Sequence, residues 1–276
     1  MAFVTRFAPS PTGPLHLGHA YSALLAHDMA RTAAGRFLLR MEDTDPDRCL
    51  PAYETGIVAD LIWLGLTWDG PVYRQSTRIA SYNARLESLQ ALLYPCSCTR
   101  SDIRSALAAP QEGVAHPVYP GTCRGRSMDS RKPGDALRLN LEAALAGLPA
   151  DLPFTETGPA HSGTHRVDGA TAMAAIGDVV LSRKGEDIVA YFLASAFDDA
   201  DQGVTHVIRG EDLFEFTPIQ VILQHLFGLP TPVYHHHGLI RDPQGKRLAK
   251  RDDARALSTF RADGATPADI RALVGL

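Results

Sequence analysis

No run of apolar residues in this 276-residue chain approaches the length of a membrane span, and the opening "MAFVTRFAPS" lacks the basic-then-apolar layout of a secretory leader. A cytoplasmic location with no membrane partner is the expectation. Cysteine is scarce: four residues are too few for a disulfide scaffold, and in a reducing compartment such thiols act as metal ligands or are inert. There is no internal repeat and no low-complexity linker. Excess positive charge is missing too. The net charge of −4 argues against coating nucleic acid by bulk attraction, although a local basic surface is still possible. The most basic short stretch, from Arg241 to Arg251, holds five basic residues and one acid, and taken alone it reads as a solvated loop.

What is present is an ordinary globular composition, 45% hydrophobic and 21% charged, in a chain long enough to bury a substantial core. "FVTRFA" reads as a buried strand, followed by the turn "PSPTGP" and helical spacing from Leu15 to about Gly35. "RFLLRME" is a second strand, and helices are expected over "YETGIVADLIWLGL" and "RIASYNARLESLQALL". The alternation predicts an α/β fold with a doubly wound parallel sheet. From Pro95 to about Arg166 the texture changes, with three of the four cysteines, many Gly and Pro residues and weak periodicity; this reads as an insertion. The rhythm then resumes with "DVVLSR" as a strand, "IVAYFLASAFDD" as a helix, "GVTHVIRG" as a strand, "TPIQVILQHLFG" as a helix and "VYHHHGLI" as the last strand. The expected organisation is a first half of the core over 1–94, an insertion with a metal site over 95–170, a second half over 171–240, and a basic loop with a short helical cap over 241–276.

The turn after the first strand is the first candidate site. In open α/β sheets ligands sit at the carboxyl ends of the strands, where helix N-termini favour phosphate. His16 and His19, three apart, share one face of the first helical turn, Gly18 permits close backbone approach, and Gly13 suits a turn. Two imidazole donors there would clamp a transferring phosphoryl group. A pair of surface histidines on an ordinary helix is the equal alternative on this stretch alone.

The stretch has company. "RFAPSPTG", "PSPTGPLHLGHA", "RMEDTDPDR", "HVIRGEDL" and "GKRLAKRDDA" occur in that order. In that order they resemble the motifs of the class I aminoacyl-tRNA synthetases, in the form typical of the glutamyl and glutaminyl branch. The resemblance implies a Rossmann-type catalytic core that binds ATP through Pro9, His16, Gly18, His19, Leu239, Ile240, Arg247 and Lys250, with Mg on the phosphates. It implies glutamate binding by Arg6, Ser10, Glu42, Tyr191 and Arg209, and catalysis by His16, His19 and Lys250. An acidic amino acid needs an arginine fork for its γ-carboxylate and an acid for its ammonium. Taken singly, Glu42 reads as an exposed acid, Tyr191 as helix core and Arg209 as an ion-pair member; the order of the motifs reverses that preference. Arg247 and Ala249 depart from the usual Lys and Ser of the second ATP signature.

Cys96, Cys98 and Cys123, with Tyr119, are spaced "CSC…YPGTC", and a one-residue gap is a moderate metal signal by itself. The resemblance sharpens it, because a short branch of the family has Cys-x-Cys…Tyr-x-x-x-Cys as a structural zinc site, one per chain. His116 is the rival fourth ligand, and Cys49 is expected to be inert. The run His235 to His237 cannot chelate from one face of a strand, where successive side chains alternate. The chain stops twenty-five residues after Arg251, too few for an anticodon-binding region. The resemblance therefore extends to the short branch, whose members attach glutamate to queuosine in tRNA(Asp); a monomer acting on L-glutamate, ATP and that tRNA is expected. A truncated enzyme charging the 3′ end of tRNA(Glu), a non-catalytic glutamate- or RNA-binding paralogue, and another nucleotidyltransferase are the alternatives.

Overall fold

The structure, a computed structural model, describes residues 2–99, 101–103, 118–183, 189–240 and 255–276. The first strand, β1 (Val4–Phe7), pairs in parallel with β2 (Arg36–Met41), which in turn pairs with the short β3 (Tyr73–Arg74). A second sheet has the order β7 (Gly163–Arg166), β6 (Pro153–Glu156), β10 (Val233–His237), β9 (His206–Gly210). In it β6, β10 and β9 run parallel, with β7 antiparallel on the outer edge. The two sheets meet at β1 and β9. There the Thr205 amide donates to the Val4 carbonyl at 2.9 Å, and the Val4 amide donates to Thr205 Oγ1 at 2.9 Å. From that junction the chain winds outward in both directions, which leaves a crevice at the carboxyl ends of β1 and β9. Ligands of open α/β folds bind at such a switch point.

Burial on both faces explains why β2 reads "RFLLRM" with little alternation. Phe37, Leu39 and Met41 pack on one side with α1 (Leu17–Thr32) and α2 (Pro51–Trp63). On the other side Leu38 joins Tyr82 and Leu86 of α3 (Ile79–Ser88). Helix α1 presents Ala20, Ala23, Leu24 and Ala30 to the sheet, small side chains that bring it close to β1 and β2. The small antiparallel sheet β4 (Leu93–Cys96), β5 (Ala136–Leu139), β8 (Val180–Ser182) stands apart from the main one. Short helices α4 (Leu141–Ala146) and α5 (Gly169–Ala175) flank it, while α6 (Tyr191–Asp201) and α7 (Thr217–Leu226) belong to the second half. Helices α8 (Leu257–Ala262) and α9 (Pro267–Val274) return to the first half. The Leu257 amide bonds the Leu15 carbonyl at 2.8 Å, and Arg271 reaches Asp28 at 2.6 Å.

Two expectations need correction. Residues 95–170 do not fold as one inserted unit, because the β6–β7 hairpin within them joins the main sheet. Phe154 and Glu156 point inward there while Pro153 and Thr155 are exposed, an alternation of only four residues among Gly and Pro. "DVVLSR" does form a strand, but β8 pairs antiparallel with β5 in the small sheet rather than resuming the parallel one. A three-residue strand carries no local sign of which partner it will find.

Candidate active site

The crevice between β1 and β9 holds a cavity of about 510 Å³. Its walls include Arg6, Pro9, Ser10, His16, Gly18, His19, Glu42, Tyr191, Arg209, Leu239 and Ile240. Every described residue assigned to ATP or glutamate from the sequence therefore surrounds one space. Arg247 and Lys250, the remaining two, lie outside the described residues, as do Ala249 and His116.

The signature histidines begin α1. His16 is its N-cap: Nδ1 of His16 accepts the Gly18 amide at 3.1 Å, and Nδ1 of His19 accepts the His16 amide at 3.2 Å. These reciprocal bonds satisfy two of the orphan donors of the helix start. They also fix the chemistry of the rings. An Nδ1 that accepts a backbone N–H carries no proton, so the proton of each neutral ring is on Nε2. The two rings lie 3.8 Å apart, tilted by 35°, and both line the cavity as donors. A Cβ on residue 18 would come within 3.1 Å of the His16 ring, so glycine lets the capping imidazole lie against the backbone.

Below the histidines is a buried charge cluster that the sequence reading missed. Arg6 binds Asp199 through Nε at 2.8 Å and Nη2 at 3.3 Å. Fully buried Arg40 donates to Asp199 at 2.7 Å and to Gln202 at 3.1 Å, and lies 3.5 Å from Glu42 and 3.9 Å from Asp198. Asp198 in turn accepts Tyr82 at 2.7 Å, Gln75 at 2.7 Å and Tyr73 at 3.0 Å. Two guanidinium groups thus face three carboxyl groups. Burial pushes Glu42 up to about 7 even though Arg40 and Arg6 pull the other way. Asp199 is held below the usual carboxylate range by Arg6 and Arg40 against its own burial. Burial likewise raises Asp198, and it raises Tyr82 and Tyr73 above the normal phenol range together with the adjacent Asp198 charge. The signal for this cluster was Arg40 within the buried stretch of β2 and paired acids inside the buried stretch of α6.

Arg209 has a different environment. Its donors go to His236 Nε2 at 2.9 Å, Thr217 Oγ1 at 2.9 Å, the Leu213 carbonyl at 3.3 Å and the Tyr191 hydroxyl at 3.5 Å, and also to Gln220 Oε1. All of these are neutral acceptors. A guanidinium that is 6% exposed, lines the cavity and touches no carboxylate among the described residues is poised for an anion. The three consecutive histidines diverge, as the strand geometry requires: His235 meets Thr157, His236 meets Glu156 and Arg209, and His237 meets Ser22 at 2.7 Å.

In the small sheet, the thiols of Cys96, Cys98 and Cys123 lie within 4.8 Å of one another. Cys98 Sγ is 3.6 Å from Cys123 Sγ, and the Tyr119 hydroxyl is 3.5 Å from Cys96 and 3.7 Å from Cys98. A tetrahedral ion with metal–sulfur bonds of about 2.3 Å needs sulfurs about 3.8 Å apart, so the three thiols are spaced to hold a metal ion. The Tyr119 hydroxyl lies beside them and accepts the Cys123 amide at 2.8 Å. Burial opposes ionisation of Cys123, yet hydrogen bonds from Tyr119 and the Ser97 backbone bring it down to about 6. Cys49 stands outside this group, its thiol 3.8 Å from the Glu42 carbonyl and raised by burial.

A parallel sheet that opens at its switch point onto a histidine-capped helix and a buried arginine defines a nucleotide- and anion-handling α/β protein. The family described as "tRNA synthetases class I (E and Q), catalytic domain" matches residues 2–276, and the chain belongs to it. A glutamyl-Q tRNA(Asp) synthetase of Rhodobacter capsulatus is 58% identical over 99% of this chain and 100% of its own length. One from Geobacter sulfurreducens is 41% identical over 94% of this chain and 78% of its own. Among solved structures, a glutamate tRNA ligase of Elizabethkingia meningosepticum in complex with its amino acid is similar with a TM-score of 0.77 and 28% identity. The similarity covers 99% of this chain but only 60% of that one. Among the described residues no helix is long and apolar enough to cross a membrane.

Proposed function

We propose that the protein activates L-glutamate with ATP and transfers it to queuosine at the wobble position of tRNA(Asp). The 58% identity to a glutamyl-Q tRNA(Asp) synthetase over that protein's entire length is the observation that carries this reading. The cavity chemistry agrees with it. Arg209, with Tyr191 beside it, receives the γ-carboxylate, and Glu42 receives the α-ammonium at the edge of a cluster that has one carboxyl more than it has guanidinium groups. Ser10 and the second edge of Arg6 line the same space. The Nε2–H donors of His16 and His19 hold the triphosphate, with Pro9, Gly18, Leu239 and Ile240 around the nucleotide.

The reaction has two steps. An oxygen of the glutamate α-carboxylate attacks the α-phosphorus of ATP in line, and the bond to the β-phosphate oxygen breaks, releasing pyrophosphate. A hydroxyl of the queuosine cyclopentene diol then attacks the acyl carbon of the mixed anhydride, loses its proton, and AMP departs. His16 and His19 act by donating to charge that builds on the phosphoryl oxygens, where preorganised donors in a dry site are worth several kcal/mol. Arg247 and Lys250 have the charge to draw off pyrophosphate. Mg²⁺ on ATP would supply further neutralisation of the phosphates. Zinc is the metal we assign to Cys96, Cys98, Tyr119 and Cys123, one per chain, because thiolate-rich tetrahedral spacing favours it. Its role is structural, pinning the loop of Tyr119 and Cys123 to β4.

Transfer of labelled glutamate to purified tRNA(Asp) with or without queuosine, alongside tRNA(Glu), tests the reading. Label only on queuosine-bearing tRNA(Asp) is expected. Label at the 3′ end of tRNA(Glu) would overturn it in favour of a charging enzyme.

A further inference from the structure

Two buried side chains behind the cavity have no part in the scheme above. Glu156 on β6 and His236 on β10 are both enclosed, and the pairing of the two strands at Tyr234 and Glu156 brings them together. His236 Nδ1 lies 2.5 Å from Glu156 Oε2, while Glu156 Oε1 accepts the amides of Gly158 at 2.6 Å and His236 at 2.9 Å. The other ring nitrogen of His236 accepts Arg209 Nε–H at 2.9 Å.

We infer that Glu156 and His236 are positioning residues that hold Arg209 as the receptor for the substrate's side-chain carboxylate, and so help set the preference for glutamate over glutamine. The inference rests on the glutamate reading above. Arg209 Nε–H only donates, so His236 Nε2 must present its lone pair, and the proton of the ring must lie on Nδ1, facing a carboxylate. Glu156 thus dictates the tautomer that Arg209 requires. It also supplies the counter-charge for Arg209 at one remove, through a neutral ring. The contrast with Arg6 shows what this arrangement achieves. Asp199 occupies the Nε–Nη2 edge of Arg6 directly, and a carboxylate in that position competes with any carboxylate ligand. Through His236 the counter-charge reaches Arg209 at Nε alone, and no carboxylate among the described residues touches the guanidinium, whose Nη1 and Nη2 groups meet only neutral acceptors. Burial and the neighbouring guanidinium bring His236 down to about 4, so the ring remains neutral and accepting throughout the physiological range. Gly158 is part of the construction: a Cβ there would sit 2.1 Å from the His236 carbonyl oxygen and 2.7 Å from Glu156 Oε1.

Glu156→Gln isolates the role. Its amide oxygen can keep the two backbone amides, but its NH2 then faces Nδ1, which must accept. The ring proton moves to Nε2, and two donors confront each other at Arg209. Glutamate-dependent ATP–pyrophosphate exchange, run on the full chain with tRNA(Asp) present, should show KM for glutamate rising about ten- to a hundredfold, the range for a lost charged hydrogen bond. KM for ATP should stay within about twofold, and the ratio of glutamate to glutamine efficiency should fall. Adding His236→Gln to this variant places an amide oxygen where Nε2 accepted. The double variant should recover most of the glutamate affinity, which removal of two merely structural residues would not do. Should either variant fail to fold, nitrogen NMR of the wild-type protein labelled in histidine decides: a buried ring protonated on Nδ1 is expected, and His236 protonated on Nε2 overturns the inference. The two readings fail differently. Wild-type protein without glutamate-dependent exchange sinks the proposed function, and this inference with it. Wild-type exchange with an unchanged glutamate KM in Glu156→Gln sinks the positioning role alone.

Discussion

Glutamate should bind this protein more tightly as pH rises from 6 to 8, with Glu42 setting the slope. Without substrate, Glu42 is held at about 7 by its burial, beside Arg40 and Arg6 on one side and Asp198 and Asp199 on the other. The cluster of Arg6, Arg40, Glu42, Asp198 and Asp199 sets three carboxyl groups against two guanidinium groups. On the proposed reading the substrate's α-ammonium pairs with Glu42 and requires its ionised form. A group titrating near 7 is about one-tenth ionised at pH 6 and about nine-tenths ionised at pH 8, so Kd should fall about tenfold across that interval. Neither the ammonium nor the carboxylates of glutamate titrate there. Calorimetry in buffers of different ionisation enthalpy should count about 0.9 protons released per glutamate at pH 6 and about 0.1 at pH 8. His16, His19 and His237 also line the cavity, so Glu42→Gln is the control. It should bind weakly and without pH dependence. Equal affinity of the wild-type protein at both pH values, or an unchanged slope in Glu42→Gln, would refute the reasoning. The sign for stability is opposite to that for binding. Because Glu42 is raised from 4.5 in the folded protein, its contribution is full below 4.5 and is lost as pH climbs through about 7. The loss is about 3 kcal/mol at most, and bound glutamate should restore part of it.

Three further outcomes follow from the same geometry. His16→Asn keeps a side-chain acceptor for the helix start but removes the Nε2 donor. It should lower kcat for ATP–pyrophosphate exchange about a hundredfold or more while moving the thermal midpoint little; an equally large loss of stability would mean that capping is its main role. Asp199→Asn uncouples Arg6 and Arg40 from their shared carboxylate, and urea denaturation should show a loss of about 3–5 kcal/mol, as for other broken buried pairs. A loss below about 1 kcal/mol would show that solvent reaches the cluster. Cys98→Ser should reduce zinc, measured by elemental analysis after purification without added metal, from one per chain to well below one. Stoichiometric zinc in that variant would remove Cys98 from the ligand set.

Much of this architecture was legible because it is local. The strand, turn and helix around "FAPSPTGPLHLGHA" announce themselves through Pro, Gly and a change of hydrophobic period, and α1 begins where the histidines fall. Strand β2 and helices α2, α6 and α7 were likewise readable from runs of apolar residues. What could not be read was pairing over distance. Nothing in "DVVLSR" indicates that β8 adds to β5, and the four residues of β6 gave too short an alternation to show that they join β10. The same holds for the charges. Arg6 finds Asp199 across 193 positions, and His236 finds Glu156 across 80, so the sequence marks these residues as polar without naming their partners. Sequence reasoning cast both Arg6 and Arg209 as substrate arginines. Only their surroundings distinguish an arginine whose fork is already occupied from one surrounded by neutral acceptors.

The reciprocal cap at the start of α1 couples phase to chemistry. Each residue of an α-helix turns the next by about 100°, so inserting or deleting one position between His16 and His19 would swing one imidazole away from the other and break both bonds of the cap at once. The four residues from His16 to His19 therefore act as one unit of set length. Their tolerance for changes of residue should be greater than their tolerance for changes of number.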